Sequence, residues 1–265
     1  MLRVIQISDP HVVVPPGKLS GRIDSLDLLK RAVARIEQVL PKVGPVDALL
    51  ITGDVSENGD GESYAAFVEA ISILGLPILA IPGNHDRREP FRDAFSDLQD
   101  LPAKGRINWS RVINGVHMIG LDTLVEGQGG GVVDEDSLSF LEDCLNQAGK
   151  APVLLALHHP PFNCGIEFMD AIGLAGSDRL AVIVENSAAD IRVVSGHVHT
   201  AITANIGRAT VLSAPSICTT FDVDFRSDAP VGFTTQPGGF MLHIWDDGFR
   251  SMHIASEFGS GPYPF

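Results

Sequence analysis

Short polar clusters at the ends of apolar runs constrain this chain more than any other feature of its sequence. Five apolar runs are typical of buried strands and cover residues 2–7, 48–52, 78–81, 153–157 and 191–194. The clusters that follow them are Asp9-Pro10-His11, Gly53-Asp54, Gly83-Asn84-His85-Asp86, His158-His159-Pro160-Pro161 and Gly196-His197-Val198-His199. Because ligands collect where neighbouring strands end, we expect these side chains to meet in space.

The side chains in these clusters are of the types that bind metal ions. Asp9 and His11 are two residues apart, so in an extended chain both side chains point to the same side. His197 and His199 repeat this spacing near the other end of the series. Imidazole nitrogens mixed with hard oxygen ligands suit Mn, Fe, Co or Zn, so we expect ions of this kind.

Asp54 and Asn84 add oxygen ligands between these two pairs. Asp54 follows Gly53, which lets the backbone and a metal approach closely, and its carboxylate is the best candidate to bridge two cations. Asn84 offers a neutral amide oxygen. Two metals about 3.5–4 Å apart lower the pKa of bound water and orient a phosphoryl group for in-line displacement. The clusters therefore predict a two-metal hydrolase.

Alternating helix and strand patterns predict a layered α/β fold with two packed sheets and helices outside. A helix is expected from Ser25 to about Leu40, with Asp24 as its N-cap and Pro41 just past its end. Further helices are expected near residues 62–74, 91–98, 134–148 and 178–185, and further strands at 117–121, 201–206, 210–213, 240–245 and 249–254. Asp246-Asp247-Gly248 predicts a hairpin turn between the last two strands.

Three regions are expected along the chain. Residues 1–215 form the core, and residues 241–265 form a hairpin that closes a sheet, followed by a tail. Between them, residues 216–240 are rich in Asp, Thr, Pro and Gly with weak periodicity, which predicts a long functional loop or an oligomer contact. We therefore expect a homo-oligomer, a dimer or larger.

Composition excludes several classes of protein. The net charge is −14 and Lys and Arg form no cluster, so duplex nucleic acid is a poor partner. No apolar run approaches the roughly 20 residues that span a bilayer, and the N-terminus has no signal-like stretch. We expect a cytoplasmic protein that does not bind membranes. Three cysteines are too few for a disulfide framework.

In this order, the motifs D-x-H, G-D, G-N-H-D, H-H-P-P and G-H-x-H resemble those of the calcineurin-like metallophosphoesterase superfamily. Within it, the chain is similar to the bacterial class III cyclic-nucleotide phosphodiesterase and glycerophosphodiesterase group. The narrower resemblance rests on residues 18–24 (K-L-S-G-R-I-D), Met169-Asp170, residues 237–240 (P-G-G-F) and residues 242–245 (L-H-I-W). It implies a four-layer α-β-β-α sandwich of two mixed sheets flanked by helices.

The resemblance also implies a role for each motif residue. It places one metal ion on Asp9, His11, Asp54 and His199, and the second on Asp54, Asn84, His158 and His197. His85 matches a histidine that is not a ligand, but contacts the phosphoryl oxygens or helps the leaving group to depart. The substrate would accordingly contact Asn84, His85 and His199.

These observations lead to one hypothesis and two alternatives. We expect a binuclear metal-dependent phosphodiesterase that hydrolyses a small phosphodiester, either a cyclic nucleotide or a glycerophosphodiester, by attack of a metal-bound hydroxide. Phosphomonoesters are further candidate substrates. One alternative is a DNA nuclease of the same superfamily, which the net charge disfavours. The other is a metal-free scaffold with this fold, which should have lost some of the ligands.

Several neighbours of the motif residues have open roles. His159 is expected beside the ligands rather than among them. Asp86 either orients His85 or forms a salt bridge with an adjacent arginine. Lys18, Arg22 and Asp24 are candidates for a rim over the site, with a solvated loop as the alternative.

Overall fold

Two mixed β-sheets form the centre of the structure, a computed structural model that describes residues 1–261, 263 and 264. The helices are α1 (Ser25–Val43), α2 (Gly61–Ser72), α3 (Arg88–Phe95), α4 (Glu135–Ala148), α5 (Glu167–Asp170) and α6 (Ser177–Asn186). The strands are β1 (Leu2–Ile7), β2 (Ala48–Thr52), β3 (Ile78–Ile81), β4 (Trp109–Ile113), β5 (Val116–Leu121), β6 (Gly131–Val132), β7 (Pro152–Leu157), β8 (Leu174–Ala175), β9 (Asp190–Ser195), β10 (Ile202–Ile206), β11 (Ala209–Ser213), β12 (Thr220–Phe221), β13 (Phe233–Thr234), β14 (Gly239–Trp245) and β15 (Phe249–Ala255).

Both large sheets mix parallel and antiparallel strands. The first sheet has the order β15-β14-β1-β2-β3, and β1, β2 and β3 run parallel. The second has the order β10-β11-β9-β7-β5-β4, in which β11, β9, β7 and β5 run parallel. Since β1, β2, β3, β7 and β9 are the strands that precede the five polar clusters, all five clusters lie at carboxyl ends of parallel strands.

The packing has four layers, as the family resemblance implied. Side chains of β7 alternate between two cores, because successive residues of a strand point to opposite faces. Leu154 and Ala156 join the core of the first sheet, which also contains side chains of α1, α2 and α3. Val153 and Leu155 face the other way and join the core formed with α4 and α6. The second sheet therefore lies between the first sheet and its own helices.

Helix α1 begins where the sequence predicts and ends later. The Asp24 carboxylate caps it by accepting a hydrogen bond from Asp27 N at 3.0 Å. The predicted end before Pro41 is wrong, since the helix continues to Val43 and includes Pro41. Proline removes one helical donor, but the carbonyl that it leaves free belongs to Glu37, an exposed residue that water can reach.

The C-terminal part contains the predicted hairpin and a less regular segment. Strands β14 and β15 pair antiparallel from Gly239 to Ala255 and turn at residues 246–248. The preceding segment carries only the short pair β12 and β13. Its Val223, Phe225 and Val231 side chains are 61%, 68% and 75% exposed. The oligomer contact predicted for this segment stays a prediction.

A buried polar network joins the two sheets just behind the strand ends. Gln6 Nε2 donates to Thr52 Oγ1 at 2.9 Å and to Ser195 O at 3.0 Å, linking β1 to β2 and β9. His243 Nε2 donates to Gln6 Oε1 at 2.8 Å, while its Nδ1 lies 2.8 Å from Ser251 Oγ. Burial, together with the charge of Arg192, lowers the pKa of His243 to about 3, so this ring is neutral. The hydrogen bond from Gln6 to Ser195 crosses between the sheets, while those of His243 join β14 to β1 and β15 within the first sheet.

Across the described residues, every helix is too short or too polar to cross a bilayer. The three cysteines, all within that part of the chain, are free thiols.

Candidate metal centre

The seven predicted ligands converge where the carboxyl ends of the two sheets meet. Asp9, Asp54 and Asn84 follow β1, β2 and β3 of the first sheet, while His158 and His197 follow β7 and β9 of the second. Their loops are bonded to one another across the gap between the sheets. The side chains collect in two groups, which we call the first and second groups.

The first group consists of Asp9, His11, His199 and Asp54. His199 Nε2 lies 3.4 Å from Asp9 Oδ1 and 3.1 Å from His11 Nε2. His11 Nε2 lies 3.5 Å from Asp54 Oδ2. Asp9, His11 and His199 are buried and can place three ligand atoms around one ion.

The second group consists of Asn84, His158, His197 and, again, Asp54. Asn84 Oδ1 lies 3.0 Å from both His158 Nε2 and His197 Nδ1. His158 Nε2 lies 3.4 Å from Asp54 Oδ2. Four protein atoms from four loops thus surround a second position that could hold an ion.

Asp54 belongs to both groups through a single atom. Its Oδ1 accepts a hydrogen bond from His85 N at 2.8 Å, which fixes the carboxylate. Its Oδ2 lies between His11 Nε2 and His158 Nε2, at 3.5 Å and 3.4 Å. One carboxylate oxygen flanked by a histidine from each group has the geometry of a bridging ligand.

Each of the four histidines in the two groups forms a hydrogen bond through its far nitrogen, the ring nitrogen that points away from the other members of its group. The contacts are His158 Nδ1 to Thr52 O (2.7 Å), His197 Nε2 to Ile172 O (3.1 Å), His199 Nδ1 to Thr219 Oγ1 (2.9 Å) and His11 Nδ1 to Glu57 Oε2 (2.7 Å). A carbonyl can only accept, so His158 and His197 carry their protons on the far nitrogen and turn a lone pair towards the site. This arrangement is usual for metal-binding histidines.

The electrostatics of the site call for added positive charge. The lone pair of His158 faces the oxygens of Asp54 and Asn84, so a proton or a metal ion must separate them. Burial opposes a charge on His158, but Asp54 and Asp9 outweigh it and raise its pKa to about 9. Burial likewise opposes ionisation of Asp54, while His158 and His85 hold its pKa well below the usual range. The residues present fit a cation site.

Five of the seven candidate ligands adopt left-handed backbone conformations, which residues other than glycine rarely adopt. The φ angles are 53° at Asp9, 44° at His11, 51° at Asp54, 69° at His197 and 52° at His199. Such strain persists only where surrounding contacts enforce it, and it concentrates at functional sites. The spacing of residues in the sequence does not reveal these left-handed conformations.

The glycines in the clusters are required by close packing between the loops. A Cβ at Gly53 would lie 2.6 Å from His158 Nδ1 and 2.6 Å from Gly83 N. A Cβ at Gly83 would lie 2.8 Å from Asp54 Cγ, and one at Gly196 would lie 2.6 Å from Asp9 Oδ2. The glycine before Asp54, Asn84 and His197 thus admits a neighbouring loop, whereas the sequence at Gly53 suggested close approach of the backbone and a metal.

His85 lies at the mouth of the site. Its side chain is 37% exposed, in contrast to the buried histidines of the two groups. Its Nδ1 donates to Glu57 O at 3.1 Å, which leaves Nε2 free. Burial opposes its protonation, but Asp54 and Glu57 outweigh this and raise its pKa to about 10. The ring is therefore a cationic hydrogen-bond donor beside the first group.

Two neighbours of the ligands have defined places. His159 has both nitrogens engaged, by Thr123 Oγ1 at 2.8 Å and Gly129 O at 3.1 Å, so its ring lies beside the ligands without a free lone pair. Both roles predicted for Asp86 are wrong. Its buried carboxylate accepts from Gly83 N at 2.8 Å and Tyr64 Oη at 2.9 Å, which ties the loop after β3 to α2.

Sequence reasoning missed Glu57, Thr219 and Phe221. Glu57 contacts His11 and His85, and Thr219 contacts His199. The Phe221 ring stacks on His199 with centroids 4.4 Å apart. The sequence signal for Glu57 was its place three residues after Asp54, and the signal for Thr219 and Phe221 was the loop predicted over residues 216–240.

The predicted rim is resolved for one of its members. Asp24 caps α1 and is thereby occupied. Lys18 and Arg22 are exposed on a loop whose Leu19 and Ile23 pack on Cys218. A substrate contact of the two basic residues stays a prediction.

The chain is similar in sequence to known proteins over most of its length. The sequence model of the calcineurin-like phosphoesterase family matches residues 2–201, which include all seven candidate ligands and His85. A probable glycerophosphodiester phosphodiesterase, GpdQ, of Arcobacter nitrofigilis is 33% identical, covering 99% of this chain and 96% of that protein. The 3',5'-cyclic adenosine monophosphate phosphodiesterase CpdA of Pseudomonas aeruginosa is 30% identical, covering 92% of this chain and 86% of that protein.

The fold is also shared with solved structures. A dimetal phosphatase from Danio rerio superposes with a TM-score of 0.70 at 14% identity, covering 97% of this chain and 96% of that one. At this identity the likeness shows the fold alone. The family match and the full-length relative at 33% identity show that the chain belongs to the calcineurin-like phosphoesterase family.

Proposed function

We propose that this chain is a binuclear metal-dependent phosphodiesterase that hydrolyses small phosphodiesters. One ion would be held by the first group, Asp9, His11, Asp54 and His199. The other would be held by the second group, Asp54, Asn84, His158 and His197. The observation that carries the proposal is the position of Asp54 Oδ2, which lies between the ring nitrogens of His11 and His158.

The types of ligand atom in the site indicate what the bound ions and the protein would each contribute. Bound cations of the Mn, Fe, Co or Zn type would activate a water molecule and neutralise phosphoryl oxygens. The protein would fix the positions of the cations, because a hydrogen bond at the far nitrogen of each ligand histidine holds its ring in place. Asn84 is only partly buried and carries no charge, so it is the ligand placed to contact substrate as well.

His85 is the protein group placed to act on the substrate. Its free Nε2 and its exposure let it reach a phosphoryl oxygen or the leaving oxygen. Asp54 and Glu57 raise its pKa and so favour the protonated ring, which can donate a hydrogen bond or the proton that an alkoxide needs. His199, whose outer face is covered by Phe221, bounds the same space and would also border the substrate.

The relatives favour a small diester over a polymer. One is named for glycerophosphodiesters and the other for a cyclic nucleotide, and both cover nearly the whole chain. The net charge of −14 also disfavours the nuclease alternative. The scaffold alternative expects lost ligands, whereas all seven are present and converge.

We expect removal of metal to abolish the activity. The purified protein is dialysed against a chelator and assayed on bis(nitrophenyl) phosphate, then assayed again after Mn²⁺, Zn²⁺ or Co²⁺ is restored. Loss and recovery of diesterase activity are expected, because both groups need cations to activate water. Full activity in the metal-free protein would contradict the mechanism.

Replacing Asp54 should remove more metal than replacing Asn84. Asp54→Ala deletes a charged ligand shared by both groups, whereas Asn84→Ala deletes a neutral ligand of one. Metal content per chain, measured by mass spectrometry of the two purified variants, is expected to fall further in Asp54→Ala. Equal or reversed losses would remove the bridging role from Asp54.

His85→Ala should separate chemistry from metal binding. We expect unchanged metal content and a fall in kcat of about 10²–10⁴-fold, as for a removed general acid or transition-state contact. If His85 donates a proton, the loss is larger for an alkyl diester than for a nitrophenyl diester. If it only binds phosphoryl oxygens, the two losses are similar. Loss of a metal ion, or wild-type rates on both substrates, would show that the assignment is wrong.

A further inference from the structure

Glu57 contacts both a candidate metal ligand and the candidate catalytic histidine. Its Oε2 lies 2.7 Å from His11 Nδ1 and 3.2 Å from His85 Nδ1. The two rings pack edge to face, with centroids 4.7 Å apart. One carboxylate oxygen therefore lies behind both rings, on the side away from the metal positions.

The position of Glu57 does not depend on these two contacts. Its backbone N donates to Val12 O at 3.2 Å, and the preceding residue, Ser56, forms a parallel bridge with Val12. Its backbone O accepts from His85 Nδ1 at 3.1 Å. These bonds fix the backbone, so a substitution at Glu57 removes the carboxylate and leaves the loop anchored.

The contacts of the Glu57 carboxylate indicate a role at these two histidines. Its side chain is 26% exposed, and within the described chain it makes one hydrogen bond, with His11, and one further ion pair, with His85. A structural carboxylate of a loop would instead cap backbone N–H groups, as Asp86 does in the neighbouring loop.

We infer that Glu57 is a positioning residue that holds His11 and His85 through one shared carboxylate oxygen. Behind His11, it fixes the ring with Nε2 towards the first group and makes that nitrogen a stronger ligand. Behind His85, the negative carboxylate lies 3.2 Å from Nδ1, whose hydrogen the Glu57 backbone O accepts, and so favours the ring orientation in which Nε2 faces the substrate. The part concerning His85 rests on the proposed function, whereas the part concerning His11 does not.

Metal affinity tests the contact with His11 without any assay of activity. The metal-free Glu57→Ala, Glu57→Gln and wild-type proteins are titrated with Zn²⁺ against a chromophoric chelator. We expect one of the two Zn²⁺ dissociation constants to rise about 10-fold in Glu57→Ala, as for other carboxylates behind metal-binding histidines. Glu57→Gln should lose less, because its amide oxygen still accepts a hydrogen bond.

The matched control is Glu62→Gln, which changes an exposed glutamate in the first turn of α2 and should leave Zn²⁺ binding unaltered. Circular dichroism and thermal unfolding check that every variant is folded. Zn²⁺ affinity in Glu57→Ala equal to that of the wild type would overturn the assignment at His11.

Kinetics at saturating Zn²⁺ test the contact with His85. Glu57→Ala should lower kcat for an alkyl diester about 10-fold, lower it less for a nitrophenyl diester, and leave KM nearly unchanged. In a His85→Ala background the same substitution should no longer alter the ratio of the two rates. The assignment at His85 would be overturned if Glu57→Ala left the ratio of the alkyl and nitrophenyl rates unchanged. It would also be overturned if Glu57→Ala changed that ratio equally in the His85→Ala background. A wild-type protein without diesterase activity would refute the proposed function, and the Zn²⁺ titrations would still decide the role of Glu57 at His11.

Discussion

The site depends on negative charge and lone pairs that are buried together. Asp9 and Asp54 are 0% and 2% exposed, and ring nitrogens of His11, His158 and His199 lie within 3.5 Å of their oxygens. Uncompensated burial of charge is costly, so such a cluster is stable only with protons or metal ions between its members. Without metal, protonated histidines can compensate the buried carboxylate charge. The raised pKa of His158 results from this interaction with the carboxylates.

The architecture supplies the rigidity that this arrangement needs. Left-handed backbone at five ligands costs about 1–3 kcal/mol each, so other contacts must enforce it. Hydrogen bonds between the loops do so. Asp9 N donates to Gly53 O at 3.1 Å, His11 N to Asp54 O at 2.9 Å, and Gly196 N to His158 O at 3.0 Å. The strained residues thus belong to a mesh that spans both sheets, with the network around Gln6 and His243 directly behind it.

The candidate ligands could be predicted from the sequence because each follows a strand whose apolar pattern is clear. The supporting residues could not. Glu57 reaches His11 and His85 only because its loop folds back beside Val12, and a single sequence carries no sign of that path. For Asp86, reasoning from adjacent residues failed because its carboxylate also binds Tyr64 of α2 and the backbone N of Val55 and Ser56, which lie 22 to 31 residues earlier in the chain. The end of α1 was mispredicted because an exposed final turn tolerates Pro41.

The central claim is that Asp54 bridges two metal ions. Anomalous diffraction from crystals of the Zn²⁺-loaded protein tests it most directly. We expect two peaks about 3.5–4 Å apart, one beside His11 and His199 and the other beside His158 and His197, with Asp54 Oδ2 within bonding distance of both. A single peak, or two peaks of which only one contacts Asp54, would contradict the account.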